Sequence, residues 1–288
     1  MKIIHQSWRF GFLIAVSIFC SQIITLPALA ENDPTILLKL QETANSGIEI
    51  DVQPPRLLEA TVTVKGTFEN MKGTSFLPLT LDLTYGKQDF RKPFPVFKAI
   101  AKDPSKEYNW DWQYRWQIGN RGGRHNDSVA YFLPYRQGEM HAINQTYGGS
   151  FSHERGSDDE FSIDFDMPTG NVVCAARGGT VVAVRVDSNR GGPTKDFAEF
   201  ANYVVIKHDD GTYGRYLHLR QNGSLVKLGQ VVQARQPIGL SGGTGWAESP
   251  HLHFDVYVPI SGEHKRSLPV KFVTKMGIVP MLMEGMSY

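Results

Sequence analysis

Cysteine is almost absent from this chain, which has two among its 288 residues. Cys20 lies in an apolar stretch near the N-terminus, which leaves Cys174 as the cysteine of the remaining chain. A single cysteine forms no internal disulfide, so the class of small proteins stapled by disulfides is excluded. Cys174 lies in the apolar run 172–176 with no charged neighbour in sequence, and we predict a buried small residue there, not a nucleophile.

Helical periodicity and nucleotide-binding motifs are also lacking. Beyond a candidate short helix at residues 34–43, no sustained repeat of 3.6 residues occurs, and there is no phosphate loop or dinucleotide fingerprint. Neither sign of charge is in excess, since 30 basic residues face 29 acidic ones. Balanced charge gives no general affinity for polyanions, so no nucleic-acid partner is expected.

Residues 1–30 have the three parts of a secretory signal peptide. Lys2 and Arg9 are basic, residues 10–24 are apolar, and the Ala-Leu-Ala of 28–30 is a small-x-small cleavage site. The apolar run is short and is interrupted by Ser and Gln, which disfavours a stable membrane span, although an uncleaved anchor is the alternative. Cleavage leaves 28 basic and 29 acidic residues, a net charge of −1. We therefore predict an exported protein, periplasmic or extracellular, without a membrane span after cleavage.

Short runs that alternate apolar and polar residues fill the chain up to about residue 130. Residues 61–64 and 77–83 alternate with period two, which is typical of half-buried strands. A third run carries an aromatic face, which we interpret as the inner face of a sandwich sheet because aromatic burial is strongly favourable. An exposed platform that stacks on sugar rings is the alternative. We predict a β-sandwich-like accessory domain over residues 31–130. The alternating residues of the third run are Trp110, Trp112, Tyr114, Trp116 and Ile118.

The chain after residue 130 is also rich in short β-prone runs, which glycines and turn residues separate. Asp210-Gly211 between two such runs is a hairpin signal. Many short strands with glycine turns favour antiparallel sheets over βαβ units. The predicted class is therefore all-β, with a second β-rich domain over residues 131–270 and a C-terminal tail over 271–288.

The residues with the clearest chemistry are His251 and His253, which flank Leu252 in a β-prone run. Side chains at i and i+2 of a strand point to the same face, so two imidazoles can reach one metal site. Glycines in 241–245 leave little side chain for a core but can shape a groove. Two ordinary histidines on a half-buried strand are the alternative interpretation.

A series of stretches in a fixed order gives a family resemblance over residues 131–258. Each is modest alone, but their order and spacing resemble the lysostaphin-type (LytM-like) zinc endopeptidases of bacterial cell-wall turnover. The matching stretches are Gly148-Gly149-Ser150-Phe151-Ser152-His153, Ile163-Asp164-Phe165-Asp166-Met167-Pro168-Thr169-Gly170, Ala175-Ala176-Arg177-Gly178-Gly179, Gly214-Arg215-Tyr216-Leu217-His218-Leu219, Val226-Lys227-Leu228-Gly229-Gln230, Gly239 to Gly245, and Pro250-His251-Leu252-His253-Phe254.

The resemblance implies a Zn2+ held by a histidine, an aspartate and the second histidine of the His-x-His pair. In this chain the last two are Asp164 and His253. The two histidines that the family does not use as ligands correspond to His218 and His251. Their implied role is to activate the metal-bound water and to stabilise the tetrahedral oxyanion. Three His or Asp ligands with an open fourth position suit a catalytic zinc.

The first ligand departs from the family pattern. The usual histidine stands four residues before the aspartate, where this chain has Glu160. His153 lies eleven residues before Asp164, in a setting that resembles the stretch leading to the family's first ligand. We predict that a longer loop brings His153 to the metal. Two alternatives remain: Glu160 replaces the histidine as a carboxylate ligand, or the first ligand is lost and the domain is not catalytic.

The sequence thus predicts an exported zinc metalloendopeptidase that hydrolyses peptide bonds in the stem or cross-link of peptidoglycan. The alternative is a non-catalytic homologue that binds the cell wall or activates an amidase, and a third class is a secreted protease or toxin that acts on proteins. The substrate is expected in a groove between the Gly242-Gly243 loop and residues 148–160. Four other histidines and the acidic run 158–160 are expected in solvent; these histidines are His125, His141, His208 and His264.

Overall fold

The computed structural model describes residues 6–8, 38–43, 46–52, 59–84 and 94–288. Within these ranges β-strands form nearly all of the regular structure, and a 3-10 helix at Lys195–Phe200 is the one helical element. The predicted all-β class is therefore confirmed. None of the helical structure in these ranges has the length and apolar character needed to cross a bilayer. The predicted signal peptide lies outside the described residues except for Gln6–Trp8.

The N-terminal part forms two four-stranded sheets, with strand orders β1-β8-β4-β6 and β2-β3-β7-β5. All neighbours in both sheets pair antiparallel. Their buried side chains share one apolar core, which gives a sandwich-like arrangement. The strands are β1 (Gln6–Trp8), β2 (Leu38–Thr43), β3 (Gly47–Val52), β4 (Glu59–Glu69), β5 (Met71–Gly73), β6 (Leu79–Thr84), β7 (Phe94–Ala101) and β8 (Asn109–Ile118).

The candidate helix at residues 34–43 is wrong where the structure describes it. Residues 38–43 form β2, which pairs with β3 from Leu38 opposite Val52 to Thr43 opposite Gly47. An isolated helix of this length is only marginally stable in water unless it packs against other elements. The strand instead satisfies its backbone through the ladder and buries Leu38 in the shared core. Residues 34–37 lie outside the described ranges.

The aromatic face of β8 points into the sandwich core, as the sequence predicted. Trp110, Trp112 and Tyr114 are each 5% exposed or less. The strand is held along its length by β4, from Glu69 opposite Asn109 to Ala60 opposite Ile118. Trp116 is the exception on this face, because it is only partly buried.

The C-terminal part is built around an eight-stranded antiparallel sheet with the order β10-β11-β21-β16-β15-β13-β18, in which β22 also pairs with β21. Asp210-Gly211 makes the predicted hairpin between β15 and β16, and Gly211 has a φ of +79°. The strands are β9 (Ala130–Phe132), β10 (Ile143–Gln145), β11 (Ile163–Phe165), β12 (Val172–Cys174), β13 (Gly179–Arg185), β14 (Gly191–Gly192), β15 (Tyr203–Lys207), β16 (Tyr213–Leu217), β17 (Leu219–Ser224), β18 (Val231–Val232), β19 (Pro237–Ser241), β20 (Gly245–Trp246), β21 (Leu252–Pro259), β22 (Lys265–Ser267), β23 (Lys271–Thr274) and β24 (Gly277–Val279).

One face of this sheet packs on a second core that contains Phe165, Tyr216 and Phe254. Cys174 is 1% exposed and lies in strand β12, as predicted. Residues 271–288, which the sequence assigned to a tail, contribute the fully buried Phe272 and Leu282 to the same core. The domain boundaries drawn from the sequence stay predictions.

The other face of the sheet packs on the N-terminal sandwich. Val205, Tyr213 and Tyr257 of the C-terminal part are buried in the core of the N-terminal sheets. The Tyr257 hydroxyl donates to the Ile118 carbonyl oxygen at 2.9 Å, and Lys207 Nζ lies 2.6 Å from Glu59 Oε1. Apolar contact and hydrogen bonds therefore fix the two parts to one another.

Candidate metal centre

Strand register brings together residues that lie far apart in sequence. In the ladder between β11 and β21, Asp164 stands directly opposite His253. On the other side of β21, His253 stands opposite Leu217, the last residue of β16. Directly opposed side chains in antiparallel strands lie close enough to interact. The sheet thus places an aspartate, a histidine and the residue before His218 in one row.

Three buried donor atoms form a compact triangle at the end of this row. His153 Nε2 is 3.4 Å from His253 Nδ1 and 3.5 Å from Asp164 Oδ1, and the last two atoms are 2.9 Å apart. Three ligands in tetrahedral arrangement at 2.0–2.1 Å from a zinc ion lie about 3.3 Å from one another. The donor set and its spacing therefore fit Zn2+, and metal binding itself stays a prediction.

His153 reaches this triangle on a closed loop. The Gly148 N–H donates to the Glu160 carbonyl oxygen at 2.8 Å, so the ends of the segment 148–160 meet. His153 points inward from the loop and is fully buried. Glu160 instead accepts the Gly156 N–H with its carboxylate at 2.9 Å and is not part of the triangle. Of the two residues that the sequence offered as the first ligand, the structure brings His153 to Asp164 and His253.

The charge of Asp164 dominates the electrostatics of the triangle. Burial opposes ionisation of this carboxyl, but hydrogen bonds from His153 and His253 outweigh it, and the pKa of Asp164 lies well below its ordinary value. Burial likewise disfavours the charged form of His153, and the nearby Asp164 reverses this and raises the His153 pKa. The pKa of His253 is lowered by burial despite the same carboxylate. The site thus presents an anionic oxygen beside two imidazoles.

Gln145 is a site residue that sequence reasoning missed. Its side-chain amide donates to Asp164 Oδ2 at 2.9 Å, which fixes the carboxylate with Oδ1 toward the two histidines. Gln145 ends strand β10, which pairs with β11. Its only sequence signal is a polar residue at the end of a short β-prone run, a signal that many solvent-facing residues share.

His218 stands beside the triangle in a left-handed backbone conformation. It follows β16 with a φ of +64°, a costly region for a residue with a side chain. The Nδ1–H donates to the Thr244 carbonyl oxygen at 2.7 Å, so Nε2 is the unprotonated nitrogen of the neutral ring. Burial lowers the pKa of His218 to about 3, which keeps the ring neutral at pH 7.

His251 faces His218 across the same site. It precedes β21 and is held by a bridge in which its N–H donates to the Gly242 carbonyl oxygen at 3.2 Å. Its Nδ1–H donates to the Ser249 carbonyl oxygen at 2.8 Å, and its Nε2 is 3.9 Å from Asp164 Oδ1. The His218 and His251 rings have centroids 4.5 Å apart. Both rings have Nδ1 anchored to a backbone carbonyl oxygen, and their Nε2 atoms are the nitrogens without such an anchor.

A groove of ≈ 620 Å³ runs over these residues. One wall comes from the loop 148–160, whose Phe151 ring centroid lies 5.1 Å from that of Trp246 on β20. The predicted wall from 148–160 thus borders the groove, whereas the predicted Gly242-Gly243 wall does not: that pair lines a neighbouring pocket, and residues 246–249 border the groove instead. A third wall, which the sequence did not predict, comes from Trp116 and Gln117 of the N-terminal part.

Two of the histidines expected in solvent are buried. His141 is 7% exposed and His208 is 2% exposed, and each donates its Nδ1–H to a backbone carbonyl oxygen. A carbonyl oxygen can satisfy an imidazole N–H inside the protein, and sequence neighbours do not reveal it. His264 is exposed, as expected, with 66% of its side chain in solvent. Asp159 of the acidic run forms ion pairs with Arg215 and Lys265.

Comparisons with known proteins find relatives that are similar to the C-terminal part of this chain. The sequence model of Peptidase family M23 matches residues 159–267. The peptidoglycan DD-endopeptidase ShyA of Vibrio cholerae is 43% identical over 95 residues, which are 33% of this chain and 19% of that protein. Lysostaphin of Staphylococcus simulans is 28% identical over 159 residues, which are 54% of this chain and 28% of that protein.

The chain spans less than a third of the length of either relative. A solved structure of the catalytic domain of lysostaphin from Staphylococcus simulans is 26% identical to this chain. That match covers 50% of this chain and 95% of the solved domain, with a TM-score of 0.30.

Proposed function

We propose that this chain is an exported zinc metalloendopeptidase. The proposal proceeds from the match of residues 159–267 to Peptidase family M23, the family of the lysostaphin-type metallopeptidases. The proposed substrate is a peptide bond in the stem or cross-link of peptidoglycan. The observation that carries the proposal is the triangle of His153 Nε2, Asp164 Oδ1 and His253 Nδ1 beside the imidazoles of His218 and His251. The export step rests on the signal-peptide pattern of residues 1–30.

The proposed metal site consists of His153, Asp164 and His253. Zinc held there would acidify a coordinated water and polarise the carbonyl of the scissile bond. Gln145 holds the Asp164 carboxylate in place, and the closed loop holds His153. These contacts fix the donor atoms before any ligand arrives, which lowers the reorganisation that binding requires.

His218 and His251 are the proposed proton-handling pair. Each has its Nδ1–H bonded to a backbone carbonyl, so Nε2 is free to accept a proton from the attacking water. Once one ring is protonated, its N–H can donate a hydrogen bond to the oxyanion of the tetrahedral intermediate or pass the proton to the leaving amine. The backbone anchors keep both rings aimed at the metal site throughout.

The substrate proposal draws on the groove and on the relatives. The groove over the triangle is bordered by loops and by strand β8, which leaves room for an extended peptide, and the relative ShyA is a peptidoglycan DD-endopeptidase. The non-catalytic alternative requires a missing first ligand. His153 next to Asp164 supports the catalytic proposal over that alternative.

The deciding experiment is incubation of the purified, zinc-loaded protein with peptidoglycan, followed by mass analysis of the released fragments. Fragments with a newly formed amino terminus within the stem or cross-link are expected from the wild type. They are not expected from His253→Ala, which would retain two of the three ligands. Wild-type protein that holds zinc and releases no such fragment from peptidoglycan would contradict the proposal.

A further inference from the structure

His218 is the single residue between strands β16 and β17, and its backbone conformation needs support from its surroundings. Its φ of +64° lies in the left-handed region, which is costly for a residue with a side chain. Such a conformation persists only where the surrounding structure fixes it. The bond from His218 Nδ1–H to the Thr244 carbonyl oxygen orients the ring, and the backbone of the turn is held by other groups.

The next residue, Leu219, has both of its backbone groups bonded to the same two partners. Its N–H donates to the Asn202 carbonyl oxygen at 3.3 Å. Its carbonyl oxygen accepts Asn202 Nδ2 at 3.1 Å and Thr244 Oγ1 at 2.7 Å. The Asn202 N–H donates to Thr244 Oγ1 at 3.0 Å, which joins the two partners. These three residues therefore form a closed set of hydrogen bonds directly after His218.

Asn202 is the member of this set that ties the most segments together. It is fully buried, and its Nδ2 donates to the Ser188 carbonyl oxygen at 2.8 Å as well as to Leu219. Its Oδ1 accepts the Ser188 N–H at 3.1 Å. The amide thus uses both of its donors and its acceptor, which leaves it one satisfied orientation. One side chain connects the loop after β13 to the turn at His218, and its backbone N–H adds the loop at Thr244.

The backbone that follows Thr244 packs closely against the residue before Asn202. Gly245 has a φ of +84°, and a Cβ built on it would lie 2.5 Å from the Ala201 Cβ. A glycine permits this approach because it has no side chain and adopts positive φ readily. The contact keeps the Thr244 carbonyl oxygen, which anchors the His218 ring, next to the segment that carries Asn202.

We infer that Asn202 is a positioning residue, which joins the turn at His218 to the loop of Thr244 and so keeps the His218 ring beside the proposed metal site. The inference rests on the proposed function, because His218 is a member of the proposed proton-handling pair. Asn202 does not line the groove and does not belong to the donor triangle. Its loss should therefore act on turnover through His218, and zinc should still bind.

The test compares Asn202→Asp with Asn70→Asp, the same exchange of an amide nitrogen for an oxygen. At residue 202 the new oxygen would face two backbone carbonyl oxygens, which repel it. Asn70, in the N-terminal part, also donates its Nδ2 to a carbonyl oxygen and accepts a backbone N–H, both of Asp103, and it does not line the groove. Thermal unfolding of each variant shows whether it is folded.

We expect kcat on peptidoglycan to fall about 10- to 100-fold in Asn202→Asp, the scale of a misplaced catalytic group. KM and zinc content should stay near the wild-type values, and Asn70→Asp should keep the wild-type kcat. Thr244→Val removes the hydroxyl at nearly constant volume and should lower kcat in the same way, whereas Thr244→Ser keeps the hydroxyl and should recover it. This second pair keeps the test open where Asn202→Asp does not fold.

A double variant separates positioning from general damage to the fold. If Asn202 acts through His218, Asn202→Asp should lower kcat in the wild type but not in the His218→Ala background. A further loss of the same size in that background would overturn the inference. A wild-type kcat in folded Asn202→Asp would overturn it as well, and so would equal losses in Thr244→Val and Thr244→Ser.

The last readout does not depend on activity. The 13Cα and 1Hα chemical shifts of His218 in zinc-free protein report its backbone conformation. We expect left-handed values in wild type and Asn70→Asp and displaced values in Asn202→Asp, and unchanged values there would overturn the inference. Wild-type protein that holds zinc and cleaves no peptidoglycan would instead contradict the proposed function, and the chemical shifts would still decide the role of Asn202.

Discussion

The three donor atoms of the proposed metal site come from a loop, a short strand and a long strand. Because Asp164 and His253 are fixed by strand pairing, removal of one ligand should leave the other two in place. We expect His253→Ala to lose stoichiometric zinc, since two protein ligands hold this metal poorly. Elemental analysis of the purified protein measures the loss.

The matched control is Glu160→Ala, which removes the carboxylate that the sequence offered as a ligand. The structure bonds that carboxylate to the Gly156 N–H, so zinc content should not change. Zinc retained in His153→Ala and lost in Glu160→Ala would show that the carboxylate is the ligand after all.

His218 and His251 differ from the three ligands in what their loss should do. Their Nδ1 atoms are bonded to carbonyl oxygens and they lie outside the donor triangle, so either Ala variant should keep near-normal zinc. Turnover should fall by about a hundredfold or more, as for other acid–base or oxyanion groups. Steady-state rates on peptidoglycan and metal analysis of the same samples test both parts. Wild-type rates in both variants would refute the assignment.

His208 makes the protein sensitive to acid. Burial lowers its pKa from 6.5 to about 4, so between pH 6.5 and 4 the unfolded chain takes up a proton that the folded chain excludes. The contribution of neutral His208 to the free energy of unfolding is therefore fully present above pH 6.5. It is lost as the pH falls from 6.5 to 4, by about 3 kcal/mol over this window.

Replacing His208 by Phe removes that contribution. The free energy of unfolding of zinc-free protein, measured in urea from pH 7 to 4, should fall less steeply in His208→Phe, by about 1.4 kcal/mol per pH unit. His264→Gln, which replaces a histidine with 66% of its side chain in solvent, is the comparison variant. Identical slopes in wild type and His208→Phe would contradict a neutral buried His208.

At the scale of strands and loops, the sequence revealed which residues matter but not how they meet. The spacing of His251 and His253 predicted a shared strand face, yet β21 begins at Leu252 and His251 lies on the bridge to Gly242. The pairing of Asp164 with His253 depends on the order of strands in the sheet, which local periodicity does not encode. Gln145 and Asp159 could not be singled out for the same reason, since their partners come from other elements.

A charged group of Asp255, Arg215 and Lys265 links strands β21, β16 and β22. Asp255 is 1% exposed and neutralises Arg215 of β16 and Lys265 of β22. Asp255→Ala would leave two cations without this partner in the interior, and we expect it to lower the free energy of unfolding by about 3–5 kcal/mol. Urea unfolding measures the change, and Asp158→Ala, at a half-buried carboxylate whose contacts to the Lys265 N–H and His264 are both 3.4 Å long, should change it less. Equal effects of the two variants would contradict a structural role for the group.

At the scale of the whole molecule, the N-terminal part forms one wall of the groove. Trp116 of β8 lines the groove over the proposed metal site, while the three aromatic residues before it are buried in the sandwich. Periodicity alone predicted the shared face of this strand. It could not show that the sheet ends at the groove, because that depends on how the two parts pack.

We expect Trp116→Ala to raise KM for peptidoglycan several-fold while zinc content stays normal, since a large aromatic wall of the groove is lost and the ligands are untouched. The comparison is Phe76→Ala, which removes an aromatic ring that is 96% exposed and does not line the groove. Rates as a function of peptidoglycan concentration separate KM from kcat. A change confined to kcat, or the same change in Phe76→Ala, would show that Trp116 does not contact the substrate.

Strand β21 is buried along all eight of its residues, with Phe254 and Val256 in one core and Tyr257 in the other. The segment around β21 therefore depends on both cores for its burial. A recombination event that moved it into another protein would strip the cover from Tyr213, Tyr257 and Val205, and the recipient would need a complementary apolar sheet at that position. Change in the surface of one part is therefore constrained by the surface of the other.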